Sequence, residues 1–188
     1  MSAPAAATIP APVAQRPSAL PAMAVVLALF AVATAVNLQL PLYAAYGDLA
    51  HYGHGLRALA FASYVVGLIP ILAFLGGLSD ALGRKAMVLA ALAMALIATV
   101  LMWVWPTVHA LVAARLFQGA SVAVSAAACT AYLAELLPLP GAAARAASCT
   151  ALTTALGFGG GALLTSLCWL LPGGHSLRPP SYWLELAL

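Results

Sequence analysis

Residues 84–106 read RKAMVLAALAMALIATVLMWVWP. Two adjacent cations, Arg84 and Lys85, precede a charge-free run over residues 86–105, and Pro106 closes it. At about 1.5 Å per residue, a helix of about 20 apolar residues crosses a hydrocarbon core. Pro106 disfavours helical continuation from the residues before it, so a tight turn is expected there. Reading outward, four further runs have comparable length and apolarity, over residues 22–42, 56–77, 109–133 and 147–171. The chain is therefore expected to be an all-α membrane protein with five complete transmembrane helices.

Composition agrees with the runs. Hydrophobic residues make up 65% of the chain and charged ones 6%, with a mean hydropathy of +1.06. A soluble domain is about 45–50% apolar and about 25% charged, so too little charge is present for a solvated surface. The 7 basic and 4 acidic residues are scattered, and no basic stripe or aromatic platform points to nucleic acid. Cys129, Cys149 and Cys168 lie inside apolar stretches without metal-ligand spacing and read as small buried hydrophobes. No cofactor is expected.

Residues 1–21 contain Pro4, Pro10, Pro12, Pro17, Pro21 and a single charge, Arg16. So many prolines prevent a stable helix, and the stretch reads as a disordered cytoplasmic tail. The following apolar run is long enough to span, which favours a retained helix over a cleaved signal peptide. With the tail inside, Arg16, Arg84, Lys85 and Arg145 share its side, and Arg57 and Arg178 face the other. That bias gives a cytoplasmic N-terminus in a cell inner membrane. Asp48, His51 and His54 have a spacing that could hold a metal on a helix, but they fall in the first polar break and read as solvated. After a Pro-Gly-Gly turn at Pro172, Trp183 is expected at the interface and residues 184–188 begin a sixth crossing. The partial bundle, residues 22–188, is accordingly expected to be a piece of a longer protein.

Charge or amide groups at membrane depth are costly and therefore informative. Arg115 lies about a third of the way into the fourth run, with Gln118 one turn on and Gly119 beside it. It is expected to face a water-filled cavity or a partner, the alternative being a side chain that snorkels to the interface. Asn37 and Gln39 lie too close in sequence to share a helical face. Asn37 is the preferred pathway residue, and Gln39 is expected to bond a neighbouring helix or headgroup water. In the fifth run Thr150, Thr153 and Thr154 precede Gly157, Gly159, Gly160 and Gly161. Gly119, Gly157, Gly160 and Gly161 are read as helix-packing positions. A phosphate loop is excluded, since no Lys-Ser or Lys-Thr follows the glycines. Between the second and third runs, Gly76, Asp80, Gly83, Arg84 and Lys85 form a polar loop. It reads either as a latch for one conformation of a moving bundle or as a plain topology anchor. No arrangement of catalytic carboxylates, His-x-x-x-His or serine with a base is present, so an enzyme is not expected.

The stretch Gly76-Gly77-Leu78-Ser79-Asp80-Ala81-Leu82-Gly83-Arg84-Lys85 resembles the major facilitator superfamily signature Gly-x-Leu-Ala-Asp-Arg-x-Gly-Arg-Lys/Arg: it keeps Gly76, Leu78, Asp80, Gly83, Arg84 and Lys85 and has Ala81 where the family commonly has arginine. Arg115-Leu116-Phe117-Gln118-Gly119 is similar to that family's Arg-x-x-Gln-Gly pattern. Glu135, Pro138 and Arg145 resemble its next loop less specifically. Its antiporter motif is poorly matched, with glycines at Gly157, Gly160 and Gly161 but no proline. The resemblance implies an N-terminal half of a secondary transporter. It also implies a conformational gate at Gly76, Asp80, Gly83, Arg84 and Lys85, and a solute or proton pathway at Arg115, Gln118 and Asn37. The expected partners are a small solute, protons, membrane lipid and a C-terminal half. A transport-inactive membrane fragment is the alternative.

Overall fold

The computed structural model describes residues 19–43, 53–137, 140–170 and 180–187. Those residues form six α-helices: α1 (Ala19–Asn37), α2 (Gly53–Leu82), α3 (Arg84–Val104), α4 (Val108–Leu136), α5 (Ala142–Trp169) and α6 (Ser181–Ala187), with a 3-10 turn at Leu40–Leu42 after α1. Four segments are long and apolar enough to cross a membrane, namely Ala19–Leu42, Arg84–Val104, Val108–Leu136 and Ala142–Trp169. The shorter apolar stretch Ala58–Phe74 lies within α2. The described chain is thus an all-α, multi-pass membrane bundle with four clear membrane-length segments, where five complete crossings are expected from sequence.

The helices extend past their apolar runs. Helix α1 starts three residues before the expected Ala22, with Pro21 in its first turn, where a missing N–H costs nothing. Its α-helical part ends at Asn37 rather than Leu42. The expected loop around Asp80 is nearly absent: α2 continues through Leu82, and Gly83 alone separates it from α3. Gly83 has φ +83° and ψ 148°, a backbone conformation that glycine adopts without strain. Glu135, expected in a loop, lies in the last turn of α4, and Arg145 lies in the first turn of α5 behind the left-handed Gly141. The disordered-tail expectation falls on residues 1–18, and the polar break at Asp48 and His51 on residues 44–52, both outside the described residues.

Helix α4 is the axis of the bundle and packs against α1, α2, α3 and α5, while α5 also packs along α1. Small residues, among them Ala35, Ala91, Ala114, Ala123, Ala128 and Gly157, share the core with Leu29, Met102, Leu111 and Leu133, and the large side chains Phe74, Leu152, Leu163 and Leu167 face outward. This distribution suits lipid as solvent, because small residues let helices approach and the tails outside are as apolar as leucine. At the far end Ser181 opens α6 and its hydroxyl accepts from Thr165 Oγ1 at 2.9 Å. Trp183 meets Trp103 edge to face at 4.9 Å between ring centroids, so α6 is docked on α3 and α5.

Candidate solute site and helix crossings

The last carbonyls of a helix have no partner within it, and the C-terminus carries the equivalent of about half a negative charge. In α1 this end is buried inside the bundle. Two side chains of α4, three residues apart and hence on one face, satisfy it. Arg115 Nη1 donates to the carbonyl of Val36 at 2.9 Å, and Gln118 Nε2 to that of Ala35 at 3.0 Å. Arg115 is 4% exposed and Gln118 fully buried. Asn37, the last residue of α1, turns toward α5 and donates from Nδ2 to the carbonyl of Phe158 at 3.0 Å. Asn37, Arg115 and Gln118 thus converge on the point where α1, α4 and α5 meet.

Arg115 and Asn37 line a cavity of about 290 Å³ together with Val36, Leu40, Tyr43, Phe61, Tyr64 and Phe158. The ring of Tyr43 lies over the guanidinium, with its centroid 5.0 Å from Cζ, a cation–π distance. Within this group Tyr43, Tyr64, Phe61 and Phe158 carry no sequence signal of their own, because isolated aromatics in apolar runs do not stand out. Gln39 lies 1% exposed outside the cavity, and both its amide atoms lack a partner among the described residues. A second cavity, of about 250 Å³ between α1, α3 and Leu186, is apolar apart from Thr99, whose hydroxyl is spent on the Ala95 carbonyl at 3.1 Å.

Glycines set the helix spacing around this site. A methyl at Gly119 would lie 2.0 Å from the carbonyl oxygen of Tyr64, and one at Gly67 would lie 2.1 Å from that of Leu116. Helices α2 and α4 therefore cross backbone on backbone, each seating a glycine on the other. Gly157 and Gly161, one turn apart on α5, do the same against α1: added methyls would lie 2.5 Å from Ala33 Cβ and 2.2 Å from the Thr34 carbonyl oxygen. Gly160 is off this crossing and would meet only Phe30 Cζ at 3.7 Å. The sequence signal for Gly67 is its small-xxx-small pairing with Ser63, of the kind that marks helix interfaces.

At the opposite end of α4 from Val108, Glu135 pairs with Arg84. Arg84 Nε donates to Glu135 Oε1 at 3.0 Å, joining the start of α3 to the end of α4. Lys85 is exposed beside it. Gly76 and Asp80 lie in the last turns of α2, and their side-chain surroundings are outside the described residues. Among the described residues no group of three His, Cys, Asp or Glu is placed to hold a metal.

The family model described as Major Facilitator Superfamily matches residues 24–175, from the second turn of α1 to beyond the end of α5. The chain belongs to the major facilitator superfamily. No curated relative and no solved structure matches it significantly. Membership assigns the chain a secondary-transporter fold rather than an enzyme's, and the matched span includes both the Asp80–Lys85 stretch and the Arg115–Gly119 stretch. In this superfamily bundle, then, the cavity beside Arg115 lies between helices of a transporter.

Proposed function

We propose that the chain supplies the N-terminal bundle of a secondary transporter that moves a small solute, coupled to protons, through the cavity between α1, α2, α4 and α5. The observation that carries this reading is the cavity itself: a buried guanidinium and an amide face one hollow at membrane depth, where polar side chains are costly unless they serve a route. In this reading α2 is the fifth crossing, since a helix of 30 residues is about 45 Å long, and α6 begins a sixth. The outward apolar face of α2, with Val66, Ile69 and Leu72, is available to a C-terminal bundle, against which the superfamily's halves rock. Asp80, Gly83, Arg84 and Lys85, with Gly76, would form the gate on the cytoplasmic side, where the N-terminus also lies.

The test is alkylation of single cysteines in membranes containing the chain, with Cys129, Cys149 and Cys168 replaced by alanine. A thiol reacts as thiolate, which forms in water and not in hydrocarbon. Iodoacetamide should modify Phe61→Cys and Phe158→Cys in the cavity at least about ten-fold faster than Ile97→Cys on the outward face of α3. Equal, slow reaction at all three positions would rule out a water-filled route here.

A further inference from the structure

A guanidinium has five N–H donors in a planar fork. Arg115 uses Nη1 on the Val36 carbonyl, while Nε and Nη2 are buried with no partner among the described residues. Those two atoms form one edge, with parallel N–H bonds spaced for the two oxygens of a carboxylate. Among the described residues the charge balance is also incomplete. The C-terminus of α1 offsets about half a positive charge, and the titratable groups among those residues that act on Arg115 are the phenols of Tyr43, Tyr64 and Tyr182. The ion pair resolved among the described side chains, Arg84 with Glu135, is elsewhere. A buried guanidinium with an empty edge and a residual charge is an anion site by its chemistry.

We infer that the cavity binds a small organic carboxylate, an inference that rests on the reading of this cavity as the solute route. The carboxylate takes the Nε and Nη2 edge of Arg115, and the apolar body lies between Phe61 of α2 and Phe158 of α5, which line the same hollow. At about 290 Å³ the cavity is at the small end of ligand pockets, which suits a single ring or a short chain rather than a nucleotide or a disaccharide. The Tyr43 ring covers a face of the guanidinium and its hydroxyl interacts with it as well, while Nε and Nη2 stay without a partner among the described residues.

The experiment measures protection of Phe61→Cys from iodoacetamide by benzoate and hexanoate, with benzamide and benzylamine as the neutral and cationic counterparts. Saturating benzoate or hexanoate should slow alkylation about ten-fold, and benzamide and benzylamine should leave it unchanged. Replacing the charged donor in Arg115→Gln should raise the half-protecting concentration about ten-fold or more. Equal protection by benzamide, or none by either carboxylate at a thiol that does react, overturns the anion site and leaves the route standing. A thiol that does not react overturns the route and the anion site together. Because the comparison of benzoate with benzamide is made with Arg115 intact, it decides the matter even where Arg115→Gln does not fold.

Discussion

Gly119→Ala should loosen the bundle although it adds one methyl to a helix. The added carbon would lie 2.0 Å from the carbonyl oxygen of Tyr64 and 3.0 Å from the amide nitrogen of Leu68. A tolerable C–H···O contact is about 3.3 Å, so α2 and α4 must part by roughly 1.3 Å, the difference between about 3.3 Å and the 2.0 Å available. Both obstacles are backbone of a helix and cannot rotate away. Overpacking of this kind costs about 1–3 kcal/mol, here toward the upper end because the whole α2–α4 seam opens. Alanine recovers about 1 kcal/mol in helix propensity. The net loss is about 2 kcal/mol, a factor of about 30 in the folding equilibrium. Titration of the detergent-solubilised chain with dodecyl sulfate, followed by tryptophan fluorescence, reads this directly. Gly159→Ala is the control: nothing lies within 4 Å of its added methyl, and it should gain about 0.5–1 kcal/mol. Gly67→Ala opens the same crossing, so its combination with Gly119→Ala should cost less than the sum. Unfolding of Gly119→Ala at the same or a higher dodecyl sulfate fraction than the parent chain would refute the backbone-on-backbone crossing.

Two further outcomes follow from the other crossing and from the pair at the helix ends. Gly161→Ala, whose methyl would meet the Thr34 carbonyl oxygen at 2.2 Å, should destabilise by about 1–3 kcal/mol, whereas Gly160→Ala, with a contact of 3.7 Å, should be neutral or slightly stabilising in the same titration. In a double-mutant cycle of Arg84→Gln and Glu135→Gln, whose side chains are 26% and 54% exposed, the coupling should be no more than about 0.5 kcal/mol at low salt. It should vanish in about 1 M salt, where charges are screened beyond ~3 Å.

The apolar runs made the helices legible, because a segment of the right length without charge has few other ways to exist. The helix ends were not legible from the same signal. Arg84, Glu135 and Arg145 mark where lipid stops, and a helix can continue into the polar layer, as α2, α4 and α5 do. A single-residue break such as Gly83 hides in what reads as a polar loop. Arg115, Gln118 and Asn37 stood out as polar groups at depth, but the groups they bond are the carbonyls of Val36, Ala35 and Phe158. A backbone acceptor is present at every residue, so no side-chain type announces it. The aromatic lining and Gly67 were hidden for a related reason: their roles come from which helices cross, and that pairing is settled by long-range packing.

Where two helices are seated glycine to carbonyl, there is no cushion of side chains between them to re-sort. Sliding α4 along α2 by one residue would bring Gln118 or Ala120 to the place of Gly119, and either has a Cβ where the Tyr64 carbonyl already sits. The seam between α1 and α5 is keyed in the same way, and Arg115 fastens one keyed pair to the other through α1. Mechanically the result is a block with two interlocked joints and a cross-tie, stiff against internal shear. Any large displacement such a block undergoes is carried by its outer faces, with the floor of the Arg115 cavity travelling as one piece.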